Sequence, residues 1–168
     1  VGIGMTTGAI ALAAGSATLP RPSPADAAGF ALISADLDGD GQQEWVLGAP
    51  GSNSVHIVDP NTLTIRHTLS SEHSSFGASL CAADLNSDGQ DELLIGAPSA
   101  ELSRGLVLAY STALEEAEPS ASWTGDEVGD RLGTALSCST QVIIMGAPGG
   151  ATSPGYVHLL SASAIGVP

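Results

Sequence analysis

Residues 36–50 read DLDGDGQQEWVLGAP, and residues 84–98 read DLNSDGQDELLIGAP, an ungapped match. Each is preceded by a short apolar run, Phe30–Ala35 in the first and Ala78–Ala83 in the second. A third stretch, QVIIMGAP at 141–148, keeps the apolar strand and the Gly-Ala-Pro but not the acidic loop. Asp130-Arg131-Leu132-Gly133 ahead of it aligns with Ser74-Ser75-Phe76-Gly77. Gly29 to Gly48 and Gly77 to Gly96 are equally spaced, and Gly133 to Gly146 is shorter by the missing loop. Self-similarity at a fixed period marks a repeat architecture, so the repeat has to be read before any single element.

Working outward, each unit divides into short apolar segments bounded by Gly, Pro, Asn, Asp and Ser, the pattern of strands and turns. The first unit predicts strands at Phe30–Ala35, Glu44–Gly48, Ser54–Val58 and Leu63–Leu69. The second predicts them at Gly77–Ala83, Glu92–Gly96, Gly105–Thr112 and Ala121–Gly125. The third predicts Gly133–Cys138, Gln141–Gly146 and Gly155–Ser161. No helical stripe competes, although Ser111–Glu118 could hold one turn. Four-stranded units that bury their faces by stacking radially on copies of themselves form a β-propeller. The fold class expected is therefore all-β: β-propeller blades of four antiparallel strands, in a partial propeller. The units run 29–76, 77–132 and 133–168. Residues 1–28 read either as a truncated, degenerate repeat or as a signal-peptide remnant. Gly2 to Gly15 repeats the short spacing of the third unit, while Ala9–Ala14 and Ala25-Asp26-Ala27 resemble an apolar core and a cleavage site.

Composition narrows the function classes. Four basic residues, all arginine, face eighteen acids for a net charge of −14. A nucleic-acid or anionic-membrane partner needs a basic patch, so neither is expected. The uncharged first twenty residues are too rich in Gly, Thr and Ser to be read as a membrane span. Hydrophobic residues at 43% leave enough apolar surface for a folded core. The two cysteines, Cys81 and Cys138, have neither CxxC nor zinc-site spacing. They read as buried free thiols rather than as a bridge.

The chemistry sits in two acidic loops, Asp36-x-Asp38-x-Asp40-Gly41-x-x-Glu44 and Asp84-x-Asn86-x-Asp88-Gly89-x-x-Glu92. Calcium is a hard cation that takes six to eight oxygens at about 2.3–2.6 Å, with glycine where the loop turns sharply. Oxygen side chains at positions 1, 3, 5 and 9 with glycine at 6 meet that need. The carbonyls of Gln42 and Gln90 at position 7 would add one ligand each. An EF-hand is excluded, because its bidentate Glu stands at position 12, which here is Leu47 or Ile95. Ordinary acidic turns also use Asp and Gly, but two loops in one register before matching strands point to two calcium sites. With four carboxylates against three, the first loop is expected to bind the more tightly.

These residues resemble the FG-GAP repeat, the blade unit of integrin α-subunit propellers, found also in glycosylphosphatidylinositol-specific phospholipase D and in secreted bacterial proteins. Phe76-Gly77 and Gly96-Ala97-Pro98 carry the name as they stand. The family's loop, D-x-[DN]-x-D-G-x-x-D, is matched except at its last position, where Glu44 and Glu92 stand. Ala28-Gly29 and Leu132-Gly133 replace Phe-Gly in the other units. The resemblance implies an extracellular, non-catalytic, calcium-binding adhesion or ligand-binding module. Its partner would be a protein or glycan, and it would pack against further blades of a parent chain. It also implies an alternative, the propeller portion of a secreted phospholipase D-like hydrolase.

No residue is assigned a catalytic role. G-x-S-x-G is absent, and Gly2-x-Gly4-x-x-x-Gly8 lacks the preceding strand of a dinucleotide loop. His56 and His158 stand at equivalent strand positions and read as wall residues, and Trp45 and Trp123 read as packing residues.

Overall fold

A computed structural model describes residues 10–12, 15–17, 25–111, 118–151 and 153–162. Its sheets are antiparallel throughout. The N-terminal hairpin pairs β1 (Ile10–Leu12) with β2 (Gly15–Ala17). The first blade orders β3 (Ala31–Ala35), β4 (Glu44–Ala49), β5 (Ser54–Asp59) and β6 (Thr64–Ser70) as a meander. In the second blade, β7 (Ser79–Ala83), β8 (Glu92–Ala97), β9 (Leu106–Tyr110) and β10 (Ala121–Thr124) repeat it. The third blade has β11 (Ala135–Cys138), β12 (Val142–Ala147) and β13 (Tyr156–Ser161). A short turn, α1 (Ala100–Ser103), joins β8 to β9, with left-handed backbone at Glu101, Leu102 and Ser103. The chain is thus all-β, its antiparallel sheets those of a partial propeller. The turn considered within Ser111–Glu118 falls largely outside the described residues.

Alternation along the strands explains why the blades stack. Successive side chains point to opposite faces, so each central strand offers apolar residues both ways. Between the first and second blades, Val46, Val55, Ile57 and Leu69 meet Leu80, Leu93, Ile95 and Leu108 in one core. The other face of the second blade gives Cys81, Leu94 and Val107 to a second core shared with Ile143, Met145 and Leu136. The residue before the repeat glycine feeds the same seams in the second and third units: Phe76 is fully buried in the first core and Leu132 in the second, whereas Ala28 is exposed. Trp123 packs against the second core, as expected of a packing residue.

The Gly-Ala-Pro glycine has a steric cause. A Cβ on Gly48 would stand 2.0 Å from the carbonyl oxygen of Gly77 in the next blade, and one on Gly96 would stand 2.2 Å from that of Gly133. Real Cβ atoms do not approach so closely, so each seam closes on two glycines. Gly77 and Gly133 also have φ of 91° and 83°, a region where only glycine is unstrained. Within each blade the same glycines are joined, Gly29 N to Gly48 O, Gly77 N to Gly96 O and Gly133 N to Gly146 O, at 2.9–3.1 Å. The three-residue turn ahead of them recurs too, with positive φ at Ala27, Ser75 and Arg131.

One expectation is corrected. Cys81 and Cys138 are joined in a disulfide with Cα atoms 5.6 Å apart, a usual bridging distance. They lie on β7 and β11, the first strands of neighbouring blades. Their distance is a product of blade stacking, which spacing along the chain does not encode.

Candidate metal centre

Both acidic loops connect the first strand of a blade to its second, and both are held in the same way. The residue at position 2 is a leucine turned into the seam, Leu37 in the first core and Leu85 in the second. Its backbone N–H donates to the terminal glutamate, Leu37 N to Glu44 Oε2 at 3.0 Å and Leu85 N to Glu92 Oε2 at 2.7 Å. The longer side chain of Glu, noted as the departure from D-x-[DN]-x-D-G-x-x-D, reaches back across the loop to make this bond. Position 6 has φ of 84° at Gly41 and 90° at Gly89, and position 4 is left-handed as well, at Gly39 and Ser87.

The remaining side chains fold inward onto the loop's own amides. Asp36 accepts from Gly39 N (Oδ1, 2.8 Å) and Gly41 N (Oδ2, 2.9 Å). Asp38 accepts from Asp40 N and Asp40 from Gln42 N. In the second loop Asp84 accepts from Asp88 N and Gly89 N, Asn86 from Asp88 N, and Asp88 from Gln90 N. One oxygen from each of Asp36, Asp38 and Asp40 lies within 4.8 Å of the others. The Gln42 side chain turns sideways, to Asp40 Oδ2 and Asn61. That of Gln90 lies over the first loop, its Cγ 2.7 Å from where a Cβ on Gly39 would be.

The first loop thus gathers three carboxylates, while among the described residues the acids of the second loop form no cluster as close. Carboxylates this close repel one another unless a cation stands between them. Burial pushes the Glu92 carboxyl above its ordinary value, against the Leu85 N–H that favours the anion, and Asp88 and Asp84 add to the rise. Glu44 is pushed up for the same reason, with Leu37 N–H and then the Arg66 guanidinium opposing. Glu92 is fully buried and its Oε1 accepts no hydrogen bond. A buried polar atom without a partner is rare and needs an explanation. An anionic oxygen among two aspartates and an asparagine fits a hard cation by donor type.

Two participants carried no signal in the sequence. Arg66, on β6, places Nη1 2.6 Å from Asp38 Oδ2 and 3.8 Å from Glu44 Oε1. Asp91, at position 8 of the second loop, bonds to the backbone of Asp36 in the first. Neither belongs to the ligand pattern, and both reach the site from elsewhere in the fold. Among the described residues no helix is long and apolar enough to cross a membrane.

A family model described as the FG-GAP-like repeat matches residues 12–95, a span that contains both acidic loops. No curated protein matches the chain.

Proposed function

The chain belongs to the FG-GAP-like repeat family, whose repeat is a non-catalytic structural unit typical of extracellular proteins, and from that premise we propose that it is a calcium-binding propeller segment of an extracellular adhesion or ligand-binding protein. Asp36, Asp38, Asp40, Gln42 and Glu44 would hold one ion, and Asp84, Asn86, Asp88, Gln90 and Glu92 the other. Each ion would supply the positive charge that the inward-facing carboxylates lack, stiffening the turn between the first and second strands of its blade. The buried Oε1 of Glu92, with no hydrogen-bond donor, is the observation that carries this reading.

The Cys81–Cys138 bridge supports the extracellular part, because disulfides persist in oxidising compartments. Further blades are the expected neighbours. Phe30 (68% exposed) just before β3 and Leu32 on it, and Val157 and Leu159 (65%) on β13, present apolar side chains away from the two seams. The nearest atoms to a Cβ on Gly146 would be those of Ala135 in its own blade, whereas Gly48 and Gly96 each close on a following blade. A protein or glycan ligand would then be met by propeller loops.

Thermal melts in excess calcium and in chelator test the metal reading, with titration calorimetry for stoichiometry. A ligand bound only by the folded state adds about 2.7 kcal/mol at a hundred times its Kd, so the midpoint should rise and the titration should show two sites. Superimposable melts and no heat of binding would refute it.

A further inference from the structure

Arg66 reaches the first loop because of a defect in its strand. Along β5 and β6 the pairs run Ser54↔Ser70, Val55↔Leu69, His56↔Thr68 and Ile57↔His67, then shift to Val58↔Ile65 and Asp59↔Thr64. Arg66 is the extra residue of a β-bulge, opposite no residue of β5. Bulges bend a strand and re-aim a side chain, and here the guanidinium is delivered to Asp38 and Glu44. The second blade has no such device. β9 and β10 pair without a shift from Ala109↔Ala121 to Leu106↔Thr124, and among the described residues no basic side chain is paired with Asp84, Asp88 or Glu92. The corresponding oxygen, Glu92 Oε1, has no hydrogen-bond partner at all.

We propose that Arg66 is a resident counter-cation of the first loop, which holds Asp38 when calcium is absent and must yield it when calcium binds, so that the second loop is the tighter site. The inference rests on the calcium reading of the loops. It reverses the order that counting carboxylates alone suggests, because the extra carboxylate of the first loop is answered within the protein. The physical reason is competition. Asp38 cannot serve guanidinium and calcium equally, and the displaced cation then stands close to a divalent ion. Arg66 is half exposed, so it can swing into solvent, which keeps the penalty modest and the site functional. The first loop is thereby kept in shape at low calcium, while the second depends on the ion.

Single-site proteins allow the test, each made in the whole chain and titrated calorimetrically with calcium chloride. Asp40→Ala leaves the second loop and Asp88→Ala the first. The Asp40→Ala protein should bind severalfold more tightly than Asp88→Ala. Adding Arg66→Gln to Asp88→Ala should tighten binding on the order of tenfold, the effect of removing one nearby partly screened charge. Adding it to Asp40→Ala should change nothing. Binding to the first loop that is unchanged or weakened by Arg66→Gln overturns the inference and leaves the calcium reading intact. No binding by the unmodified chain at millimolar calcium overturns both. If a loop variant fails to fold, the unmodified chain and Arg66→Gln alone decide: the weaker of two fitted sites must tighten.

Discussion

Asp91 of the second loop and Asp36 of the first hold one another by two hydrogen bonds across the blade seam. Asp36 N donates to Asp91 Oδ2 at 2.9 Å, and Asp91 N donates to Asp36 O at 2.8 Å. Asp36 opens the first loop, so its position is set partly by the neighbouring blade. The loops are therefore mechanically joined at the point where the first carboxylate is aimed. Gln90, lying over Gly39, adds a second contact between them.

Asp91→Ala should leave Asp36 N without its acceptor in a half-buried site. The expected loss is about 1–2 kcal/mol of unfolding free energy, read from urea denaturation in chelator. Calcium affinity at the first loop should also fall, with the second loop less affected. Asp91→Asn retains an acceptor oxygen and should recover most of the stability. An Asp91→Ala protein as stable as the parent would mean that the clasp contributes nothing.

Gly96→Ala places a methyl group 2.2 Å from both Gly133 O and Ser79 Oγ, atoms already joined by a buried hydrogen bond of 2.6 Å. The blades must separate or the bond must break, and overpacking of this kind costs about 1–3 kcal/mol. Gly146→Ala is the matched control, since its nearest neighbour would be Ala135 Cβ at 3.4 Å. Paired denaturation curves should therefore show a large loss for Gly96→Ala and a small one for Gly146→Ala. Equal losses would remove the steric account of the seam.

The Cys81–Cys138 bridge closes a separation of 57 residues. Cross-linking a loop of that length stabilises by about 4 kcal/mol on the chain-entropy view, with about 2–4 typical of measured cases. A Cys81→Ser, Cys138→Ser protein should melt well below the parent, and the parent should shift the same way in a reductant. Thiol titration of the unreduced, denatured protein should find no free cysteine. Two reactive thiols there would contradict the bridge.

His56 supplies a pH signature. Burial holds its imidazole below the ordinary value, with the Asp26 carboxylate opposing in part, and its Nδ1 lies 3.0 Å from Thr68 Oγ1. The unfolded imidazole titrates near 6.5, so below that pH the unfolded chain takes up the proton first. This contribution to stability is present above about pH 6.5 and is lost as the pH falls through the lowered folded value. Melts in saturating calcium should show a decline on the acid side of pH 6.5 that is shallower in His56→Gln. Identical slopes would dismiss the histidine as its source.

The chain's own order of residues was sufficient for the repeat, the strands and the position of both acidic loops, because each depends on local chemistry. Alternating apolar residues, turn-forming glycines and oxygen side chains at odd loop positions all act within a few residues of one another. The disulfide, the Asp36–Asp91 clasp and the approach of Arg66 to Asp38 were decided only in three dimensions. Each joins elements distant along the chain, and each follows from how blades stack or how a bulge turns one side chain. Carboxylates can be counted along a sequence, but the Arg66 guanidinium that answers one of them at Asp38 is brought by the fold.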